Sequence, residues 1–269
     1  MTDLLTEKYS NLIMYLKDLG SLAVAFSGGV DSTFLLYAAK EALGDKAIAI
    51  TISSDFVSHR EQDDAKEFCA EHGIKQIVCP VNMSDIEHFS ENLPDRCYYC
   101  KRKLFETIIK RAGENGITYV AEGSNLDDNN DYRPGHRAIK ELGVKSPLRE
   151  ASLSKAEIRA LSKEFDLPTW QKPSFACLAS RIPYGNIITS DKLSRIEQAE
   201  SHLQKLGFSQ FRVRLHEDIA RIELLPSDFS KIMEDSVRVD VYSYLKSLGF
   251  AYVTLDLQGY RTGSLNETL

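Results

Sequence analysis

Alternating apolar and amphipathic segments in the first half of the chain limit the folds that it can adopt. The predicted strands are LAVAF (22–26), AIAITI (47–52), KQIVCPV (75–81) and TYVAEG (118–123). The predicted helices cover residues 31–43, 58–72, 95–112 and 154–165. Because strands separated by helices usually pair in parallel, the sequence predicts an α/β fold with a parallel sheet and helices on both faces. Ligands of such folds bind beyond the carboxyl ends of the strands.

Local signals mark the ends of several of these elements. Ser58 with Glu61, and Ser154 with Glu157, have the Ser-x-x-Glu spacing of a capping box at a helix start. The stretch SNLDDNNDYRPG, which follows the fourth strand, is predicted to be a loop that is too polar to join the core.

The pattern changes after PTWQKPSFACLASRIPYG (168–185), which is rich in proline, serine and small residues. A predicted helix at 190–206 is followed by two strands, a second helix and a third strand. The strand sequences are FRVRL, IARIELL and AYVTLDL. This α-β-β-α-β order differs from the first half, so we predict an α/β domain at 1–185. A smaller α+β domain for substrate binding or oligomerisation is predicted at 186–269.

The overall composition narrows the class of protein. A chain of 269 residues with 43% hydrophobic residues can build one large core or two smaller ones. No apolar run approaches the roughly 18 residues of a membrane span, and the first 20 residues lack a signal-peptide core. We therefore expect a cytoplasmic protein without a membrane partner. The net charge of −6 argues against general nucleic-acid binding.

FSGGVDS (26–32) lies where the first predicted strand meets its helix. Gly28 and Gly29 allow a tight turn that exposes backbone amides, and Ser27 and Ser32 add hydroxyl donors. The helix N-terminus adds partial positive charge, so the segment predicts a polyphosphate site. No Gly-Lys-Ser/Thr follows, so the pattern is not that of Walker A.

This glycine-rich segment is similar to the PP-loop of the ATP pyrophosphatases. The resemblance implies that ATP is cut between its α and β phosphates, that the loop holds the pyrophosphate, and that AMP is passed to a substrate. It also implies that Asp31 helps to hold Mg²⁺. We expect the backbone of Gly123, at the end of the fourth strand, to lie near the adenine or ribose.

The five cysteines fall into two groups. Cys69 and Cys79 lie within an amphipathic helix and an apolar strand, so we expect them to be buried. Cys97 and Cys100 share a face in the first turns of a predicted helix. Spacing alone leaves open a redox couple, zinc ligands, an iron–sulfur site or buried thiols. Zinc would need a fourth ligand, and together with Cys177 the pair suits an iron–sulfur cluster with one open iron.

Longer motifs resemble one family over nearly the whole chain. The motifs are GSNLDDNNDYRPG, KPSFACLASRIPYG, FRVRLHEDIARIE and YVTLDLQGYRTGSLN. Together they resemble the LarE family of ATP-dependent sulfur transferases, which build the nickel-pincer nucleotide cofactor of lactate racemase. The resemblance implies that pyridinium-3,5-biscarboxylic acid mononucleotide is the substrate. Each carboxylate would be adenylated, with release of pyrophosphate, and then converted to a thiocarboxylate, with release of AMP.

The same resemblance bears on the source of sulfur. Some family members carry a single cysteine at the position of Cys177, which gives up its sulfur and becomes dehydroalanine. Others carry three cysteines and use a [4Fe-4S] cluster whose open iron can hold a sulfide. This chain has the three-cysteine pattern, so the resemblance implies that Cys97, Cys100 and the catalytic Cys177 are cluster ligands. Sulfide or another sulfur source would then be a partner, and sacrifice of Cys177 is the alternative.

Arg212 and Arg214 alternate on one predicted strand and therefore point to one side of it. Residues alone allow a solvated strand face. The resemblance implies instead a clamp for the substrate phosphate, formed with Ser180 and Arg181, because guanidinium groups pair well with phosphate.

The resemblance also places Tyr132 and Arg133 near the active site, and it implies a homo-oligomer, since the family is described as forming hexamers. A PP-loop tRNA thiolase is the nearest alternative, disfavoured by the acidic composition and by the lack of an evident RNA-binding module. A regulatory protein with an inactive loop is a second, disfavoured by the intact Ser27, Asp31 and Ser32.

Overall fold

A computed structural model describes residues 3–130, 134–173, 176–261 and 263–268. The chain divides into two compact units. The first comprises Met1–Glu87 and Cys97–Phe175, and the second comprises His88–Arg96 and Ala176–Leu269. The change of unit after Phe175 precedes the predicted boundary at residue 185, and a short segment of the first half joins the second unit. The functions predicted for the two domains stay a prediction.

A four-stranded sheet forms the centre of the first unit. Its strands are β1 (Leu22–Ala25), β2 (Ala47–Ser53), β3 (Gln76–Pro80) and β4 (Tyr119–Ala121). The strand order is β3-β2-β1-β4, and the three pairings are parallel. The central strand β1 is apolar along its whole length, as expected for a parallel strand that helices cover on both faces. The predicted α/β fold is confirmed.

Seven helices accompany this sheet in the described part of the chain. They are α1 (Asp3–Leu19), α2 (Val30–Leu43), α3 (His59–Glu71), α4 (Arg96–Glu114), α5 (Pro134–Glu141), α6 (Pro147–Glu150) and α7 (Lys155–Glu164). Leu12 and Leu16 of α1 and Phe34 of α2 are fully buried in the apolar core. The short helices α5 and α6 were not predicted, because the sequence before each offers no capping box.

Both predicted capping boxes lie at helix starts. The Ser58 hydroxyl accepts a hydrogen bond from the backbone N–H of Glu61 at the start of α3. At the start of α7, the Ser154 hydroxyl accepts from the N–H of Glu157, and the Glu157 carboxylate accepts from the N–H of Ser154. These bonds satisfy N–H groups that the first turn of a helix leaves without partners.

Among its described residues, the second unit contains a three-stranded sheet and three α-helices. Its elements are α8 (Ser190–Lys205), β5 (Phe211–His216), β6 (Ile219–Leu224), α9 (Phe229–Ile232), α10 (Asp235–Ser247) and β7 (Tyr252–Leu255). The strand order is β5-β6-β7, with β5 antiparallel to β6 and β6 parallel to β7. The predicted α-β-β-α-β order is therefore present, with the short helix α9 added.

Asn92 explains why His88–Arg96 belongs to the second unit. The residue is fully buried and has a φ of 57°, in the left-handed region that asparagine tolerates. Its side-chain nitrogen donates to the carbonyl oxygens of Ile182 (3.2 Å), Pro183 (2.7 Å) and Asn186 (3.1 Å). These bonds join two segments that are far apart in the sequence.

Among the residues that the structure describes, no helix has the length and apolar character needed to cross a membrane.

Candidate active site

The glycine loop connects the end of β1 to the start of α2. Gly28 has a φ of 70°, in the left-handed region that favours glycine. A Cβ atom added there would lie 3.0 Å from the carbonyl oxygen of Glu61 on α3. Gly29 occupies the N-cap position of α2 in an extended conformation. The turn therefore requires glycine at position 28 both for its backbone angle and for its close approach to α3.

Two serine hydroxyls hold the loop in shape. The Ser27 and Ser32 hydroxyl oxygens lie 3.1 Å apart, and the Ser32 hydroxyl donates to the carbonyl oxygen of Gly29 at 3.2 Å. The structure thus brings the predicted ATP-binding residues together at the carboxyl end of β1. This is the edge at which α/β folds bind their ligands.

The Asp31 carboxylate, predicted to hold Mg²⁺, has two partners in the first unit. One oxygen pairs with the Nζ of Lys155, the first residue of α7. The other accepts a hydrogen bond from the side-chain amide of Asn125 at 3.2 Å. Lys155 therefore balances the carboxylate's charge, and Asn125 fixes its orientation.

The prediction that the stretch after β4 is too polar for the core is wrong for its first two residues. Ser124 and Asn125 are only 6% and 4% exposed. Burial is tolerated because their polar groups are paired. The Glu122 carboxylate accepts bonds from the Ser124 N–H (3.0 Å) and hydroxyl (2.7 Å), and Asn125 bonds to Asp31.

Gly123 lies against the start of α2. A Cβ atom at this position would lie 3.0 Å from the backbone nitrogen of Ser32 and 3.1 Å from the Cβ of Asp31. The lack of a side chain therefore lets the end of β4 approach the glycine loop. That the backbone of Gly123 lies near the adenine or ribose of ATP stays a prediction.

Lys172 is a residue of this site that the sequence did not single out. Its side chain is only 8% exposed. The Nζ atom donates to the carbonyl oxygen of Gly28 at 2.8 Å and contacts the Asp64 carboxylate at 2.7 Å. The lysine lies within the KPSFACLASRIPYG motif, but nothing in the spacing indicates a contact with residue 28.

The five cysteines differ in exposure, and the two that were predicted to be buried are buried. Cys69 and Cys79 are buried, Cys97 and Cys100 are half-buried on α4, and Cys177 is exposed. Burial raises the pKa of the Cys69 thiol to about 12. It also raises the pKa of the Cys79 thiol, although Arg111 opposes the shift.

The helix that carries Cys97 and Cys100 packs against α5. A Cβ atom on Gly135 would lie 2.8 Å from Cγ of Lys101 and 3.4 Å from the carbonyl oxygen of Cys97. The Tyr98 hydroxyl bonds to the Glu141 carboxylate of α5 at 2.7 Å. The first turns of α4 are therefore held in place on the side that faces α5.

The three cysteines predicted as metal ligands belong to different units. Cys97 and Cys100 belong to the first unit and Cys177 to the second. Within the described ranges, no three or more His, Cys, Asp or Glu side chains come together as a metal site. Tyr132 and Arg133, predicted near the active site, lie outside the described residues.

Two arginines of the predicted phosphate clamp are paired with buried carboxylates in the second unit. Arg181 is 1% exposed and binds both oxygens of Glu200, each at 2.9 Å. Arg214 is 6% exposed and binds both oxygens of Glu223, at 3.1 and 3.0 Å. Such bidentate pairs fix the guanidinium planes. The two glutamates lie on α8 and β6 and were not predicted from the sequence.

Arg212 is the third arginine of this group. It is 3% exposed, and its Nη1 donates to the carbonyl oxygen of Phe211 at 2.6 Å. Its Cζ lies 5.1 Å from the ring centre of Tyr260. Burial, followed by repulsion from Arg181, lowers the pKa of the Arg212 guanidinium to about 10, so the group stays charged at neutral pH.

Cys177 and Ser180 adjoin these arginines. The Ser180 hydroxyl donates to the carbonyl oxygen of Cys177 at 2.7 Å, and Nη1 of Arg181 donates to the same oxygen at 3.0 Å. Arg214 donates to the carbonyl oxygen of Ser180 at 2.6 Å. The structure therefore brings all four residues of the predicted clamp together beside the exposed Cys177.

Comparisons with known proteins assign the chain to a family. A PP-loop domain model matches residues 1–132. The chain is 41% identical over 266 residues to an uncharacterized protein of Synechocystis, covering 99% of each chain. It is 40% identical over 266 residues to the pyridinium-3,5-bisthiocarboxylic acid mononucleotide synthase of Lactiplantibacillus plantarum, covering 98% of this chain and 96% of the relative. The chain belongs to the LarE family.

Membership in the LarE family confirms two predictions from the sequence. The chain is an ATP-dependent sulfurtransferase, and its PP-loop domain implies the use of ATP and Mg²⁺. Similarity also extends to a tRNA-specific 2-thiouridylase of Desulforamulus reducens, which is 26% identical over 193 residues. That match covers 56% of this chain and 52% of the relative.

Proposed function

We propose that this LarE-family enzyme adenylates the carboxylates of pyridinium-3,5-biscarboxylic acid mononucleotide and converts them to thiocarboxylates. The proposal is supported by the relative from Lactiplantibacillus plantarum, whose name describes the corresponding bisthiocarboxylic acid product. The observation that carries it is the group of buried guanidiniums beside Cys177, which places positive charge next to an exposed cysteine.

Two successive displacements account for the chemistry. A carboxylate oxygen of the substrate attacks the α-phosphorus of ATP, and the bond to the β-phosphate breaks to release pyrophosphate. A sulfur nucleophile then attacks the acyl carbon, and the bond to the AMP oxygen breaks to release AMP. Adenylation is needed because a carboxylate oxygen is a poor leaving group, whereas AMP is a good one.

The first displacement would take place at the glycine loop. The backbone amides around Gly28 and Gly29, the two serine hydroxyls and the N-terminus of α2 would bind the departing pyrophosphate. Asp31 would hold Mg²⁺, exchanging its contact with Lys155 for the metal ion. Lys155 would then be released to contact a phosphate oxygen.

Together, the three clamp arginines of the second unit would bind the phosphate of the substrate nucleotide. Arg181, Arg212 and Arg214 bring three buried guanidiniums to one place in this unit. Their positive charge would attract a phosphate. Because two of the three guanidiniums are already fixed by carboxylates, little side-chain ordering would be needed on binding.

We further propose that Cys97, Cys100 and Cys177 hold a [4Fe-4S] cluster. Three thiolates suit such a cluster with one open iron, and these three cysteines are more accessible than Cys69 and Cys79. When bound, the cluster would supply a sulfide at the iron that lacks a cysteine ligand. Sulfide or another sulfur source would then be a partner. Sacrifice of the Cys177 sulfur is the alternative, and a homo-oligomeric assembly stays a prediction.

The test of the reaction is product analysis. With the dicarboxylate nucleotide present, the enzyme is expected to convert ATP to AMP and pyrophosphate at a much higher rate than without it. Asp31→Ala is expected to abolish adenylate formation while the circular dichroism spectrum remains that of the folded protein. ADP and phosphate as the main products would overturn the proposal.

The test of the sulfur source uses all five cysteines. Cys97→Ala, Cys100→Ala and Cys177→Ala are each expected to lose the iron–sulfur absorption of anaerobically prepared protein. Cys69→Ala and Cys79→Ala serve as buried controls and are expected to retain it. If Cys177 is instead the donor, intact mass after turnover falls by about 34 Da, the mass of H₂S, in proportion to product.

A tRNA thiolase is a second candidate, favoured by the partial similarity to the 2-thiouridylase. It predicts tight tRNA binding that weakens steeply with salt, because binding neutralises phosphates. ATP cleavage stimulated by tRNA but not by the dicarboxylate nucleotide would favour this candidate.

A further inference from the structure

We infer that Lys172 is a positioning residue that sets the orientation of the Gly28–Gly29 peptide and so directs the Gly29 N–H toward the phosphates of ATP. The inference rests on the proposed function in one respect, namely that the glycine loop binds the pyrophosphate part of ATP. It adds a side chain that acts on the loop through the backbone rather than by touching the reacting atoms.

The contacts of Lys172 are those of a fixed group. Its Nζ reaches the carbonyl oxygen of Gly28 at 2.8 Å and the Asp64 carboxylate at 2.7 Å. A lysine that is only 8% exposed is costly unless its charge is paired, and Asp64 on α3 supplies that charge. Asp64 therefore keeps Lys172 charged and aimed at the loop.

The backbone of Lys172 is also held. Nη2 of Arg159, on α7, donates to the carbonyl oxygen of Lys172 at 2.8 Å, and its Nη1 donates to that of Trp170 at 2.5 Å. Both ends of the lysine are thus fixed, one by α7 and one by α3. The contact with Gly28 is part of the folded structure and does not depend on a mobile surface side chain.

Because the peptide is planar, the contact at the Gly28 oxygen also fixes the direction of the Gly29 N–H. In a planar trans peptide, the C=O of one residue and the N–H of the next point in opposite directions. When Lys172 holds the Gly28 oxygen, the Gly29 N–H must therefore point away from the ammonium. Within the described part of the chain, that N–H has no hydrogen-bond acceptor, as expected of the N-cap residue of α2.

A peptide between two glycines needs such a restraint. Glycine reaches both signs of φ easily, so the Gly28–Gly29 peptide can rotate without the steric penalty that other residues would impose. In the rotated state the Gly28 oxygen would face the phosphates and repel them. Lys172 favours the state in which the loop presents a donor instead of an acceptor.

Ligand binding to purified full-length protein tests the inference. Inorganic pyrophosphate, ATP and AMP, each with Mg²⁺, are titrated into wild type and Lys172→Met by calorimetry. We expect Lys172→Met to weaken pyrophosphate and ATP binding by about 10-fold, which corresponds to about 1.4 kcal/mol. AMP binding should change by less than about 2-fold, because AMP lacks the β and γ phosphates that the loop holds.

Two further variants separate positioning from general charge or stability. Lys66→Met removes an exposed lysine from α3 and is expected to leave all three affinities unchanged. Lys172→Arg keeps the charge and the N–H donors and is expected to recover part of the pyrophosphate affinity. Unchanged pyrophosphate binding in Lys172→Met, or equal weakening of AMP and pyrophosphate, would overturn the inference.

The Asp64 carboxylate provides a second route if Lys172→Met does not fold. Asp64→Asn removes the charge but keeps a polar acceptor beside the buried Lys172 Nζ, so it is expected to fold. Loss of the anchoring charge should weaken pyrophosphate binding by about 3-fold with AMP unchanged, and no change would overturn the inference. A wild type that does not bind pyrophosphate would instead contradict the proposed role of the loop itself, and the inference with it.

Discussion

The two units each gather positive charge at a polar site, but they do so with different residues. The first unit uses lysines, with Lys155 on Asp31 and Lys172 on Asp64, and both aspartates are partly exposed, at 23% and 37%. The second unit uses arginines that are almost fully buried. Nε and Nη2 of Arg214 bind the two carboxylate oxygens of Glu223, which is 0% exposed.

This difference suits two different tasks. Lys172 stays fixed on Asp64 and Gly28, but the more exposed Lys155 ammonium is a compact charge without a fixed direction of bonding. Lys155 can therefore exchange Asp31 for another anion during turnover. A bidentate arginine–carboxylate pair fixes the plane of the guanidinium and resists rearrangement. The lysine site is therefore suited to ATP, Mg²⁺ and pyrophosphate, which arrive and leave, whereas the arginine site is suited to holding one substrate in a constant position.

The largest expected effect comes from breaking the buried pair of the second unit. Glu223→Ala removes the carboxylate that binds Arg214 and Arg221 and leaves charge buried without its partner. We expect a loss of about 3–5 kcal/mol in the free energy of unfolding, measured by urea denaturation. The comparison is Asp31→Ala in the first unit. Loss of its partly exposed pair with Lys155 and of its bond to Asn125 should together cost less, about 1–2 kcal/mol.

A surface ion pair provides the control for this prediction. Asp235 pairs with Arg238 at 2.6 Å, and its side chain is 92% exposed. Asp235→Ala should therefore change the stability by less than about 0.5 kcal/mol. Equal losses in Glu223→Ala and Asp31→Ala would show that the two sites do not differ in rigidity in the way that their burial indicates.

A smaller effect is expected on substrate binding. Arg212→Ala should weaken binding of the dicarboxylate nucleotide by about 1.5–3 kcal/mol, because a charge-assisted contact to phosphate is lost. ATP binding should be unaffected, and the exposed Arg238→Ala is the matched control. Arg214→Ala is less informative, since it also leaves the buried Glu223 without its bidentate partner. Unchanged nucleotide affinity in Arg212→Ala would remove this arginine from the phosphate clamp.

Local patterns were sufficient to predict most of the elements. The central strands β1 and β2 are largely apolar and buried, and the capping boxes at Ser58 and Ser154 mark two helix starts. The glycine loop could be placed because it follows a predicted strand directly. Each of these signals lies within a few residues of the structure that it predicts.

Contacts between distant segments could not be predicted in this way. Asn92 bonds to the carbonyl oxygen of Ile182 in the second unit. Lys172 bonds to the carbonyl oxygen of Gly28, which lies 144 residues earlier in the chain. Glu200 and Glu223 appear in the sequence as ordinary polar residues of a helix and a strand. Their function as partners of buried arginines depends on tertiary packing, which spacing along the chain does not encode.

The smallest expected effect concerns the contact of Lys8 with Glu157, which lies on α7. The Glu157 carboxylate accepts hydrogen bonds from the Ser154 N–H at 2.8 Å and from Lys8 Nζ at 2.7 Å. Burial alone would raise the pKa of Glu157, but the hydrogen bonds from Lys8 and Ser154 outweigh it and lower the pKa.

Because the pKa of Glu157 is lower in the folded than in the unfolded chain, its charge stabilises the fold above the unfolded-state pKa of about 4.3. That contribution is lost as the pH falls through the folded-state pKa. Glu157→Gln should therefore lower the free energy of unfolding by about 0.5–1 kcal/mol at pH 7, as for a partly exposed ion pair. The difference from wild type should shrink below about pH 4, measured by urea denaturation across that range. A difference that stays constant with pH would show that glutamine loses the contact through geometry alone and that the lysine's charge contributes nothing at this site.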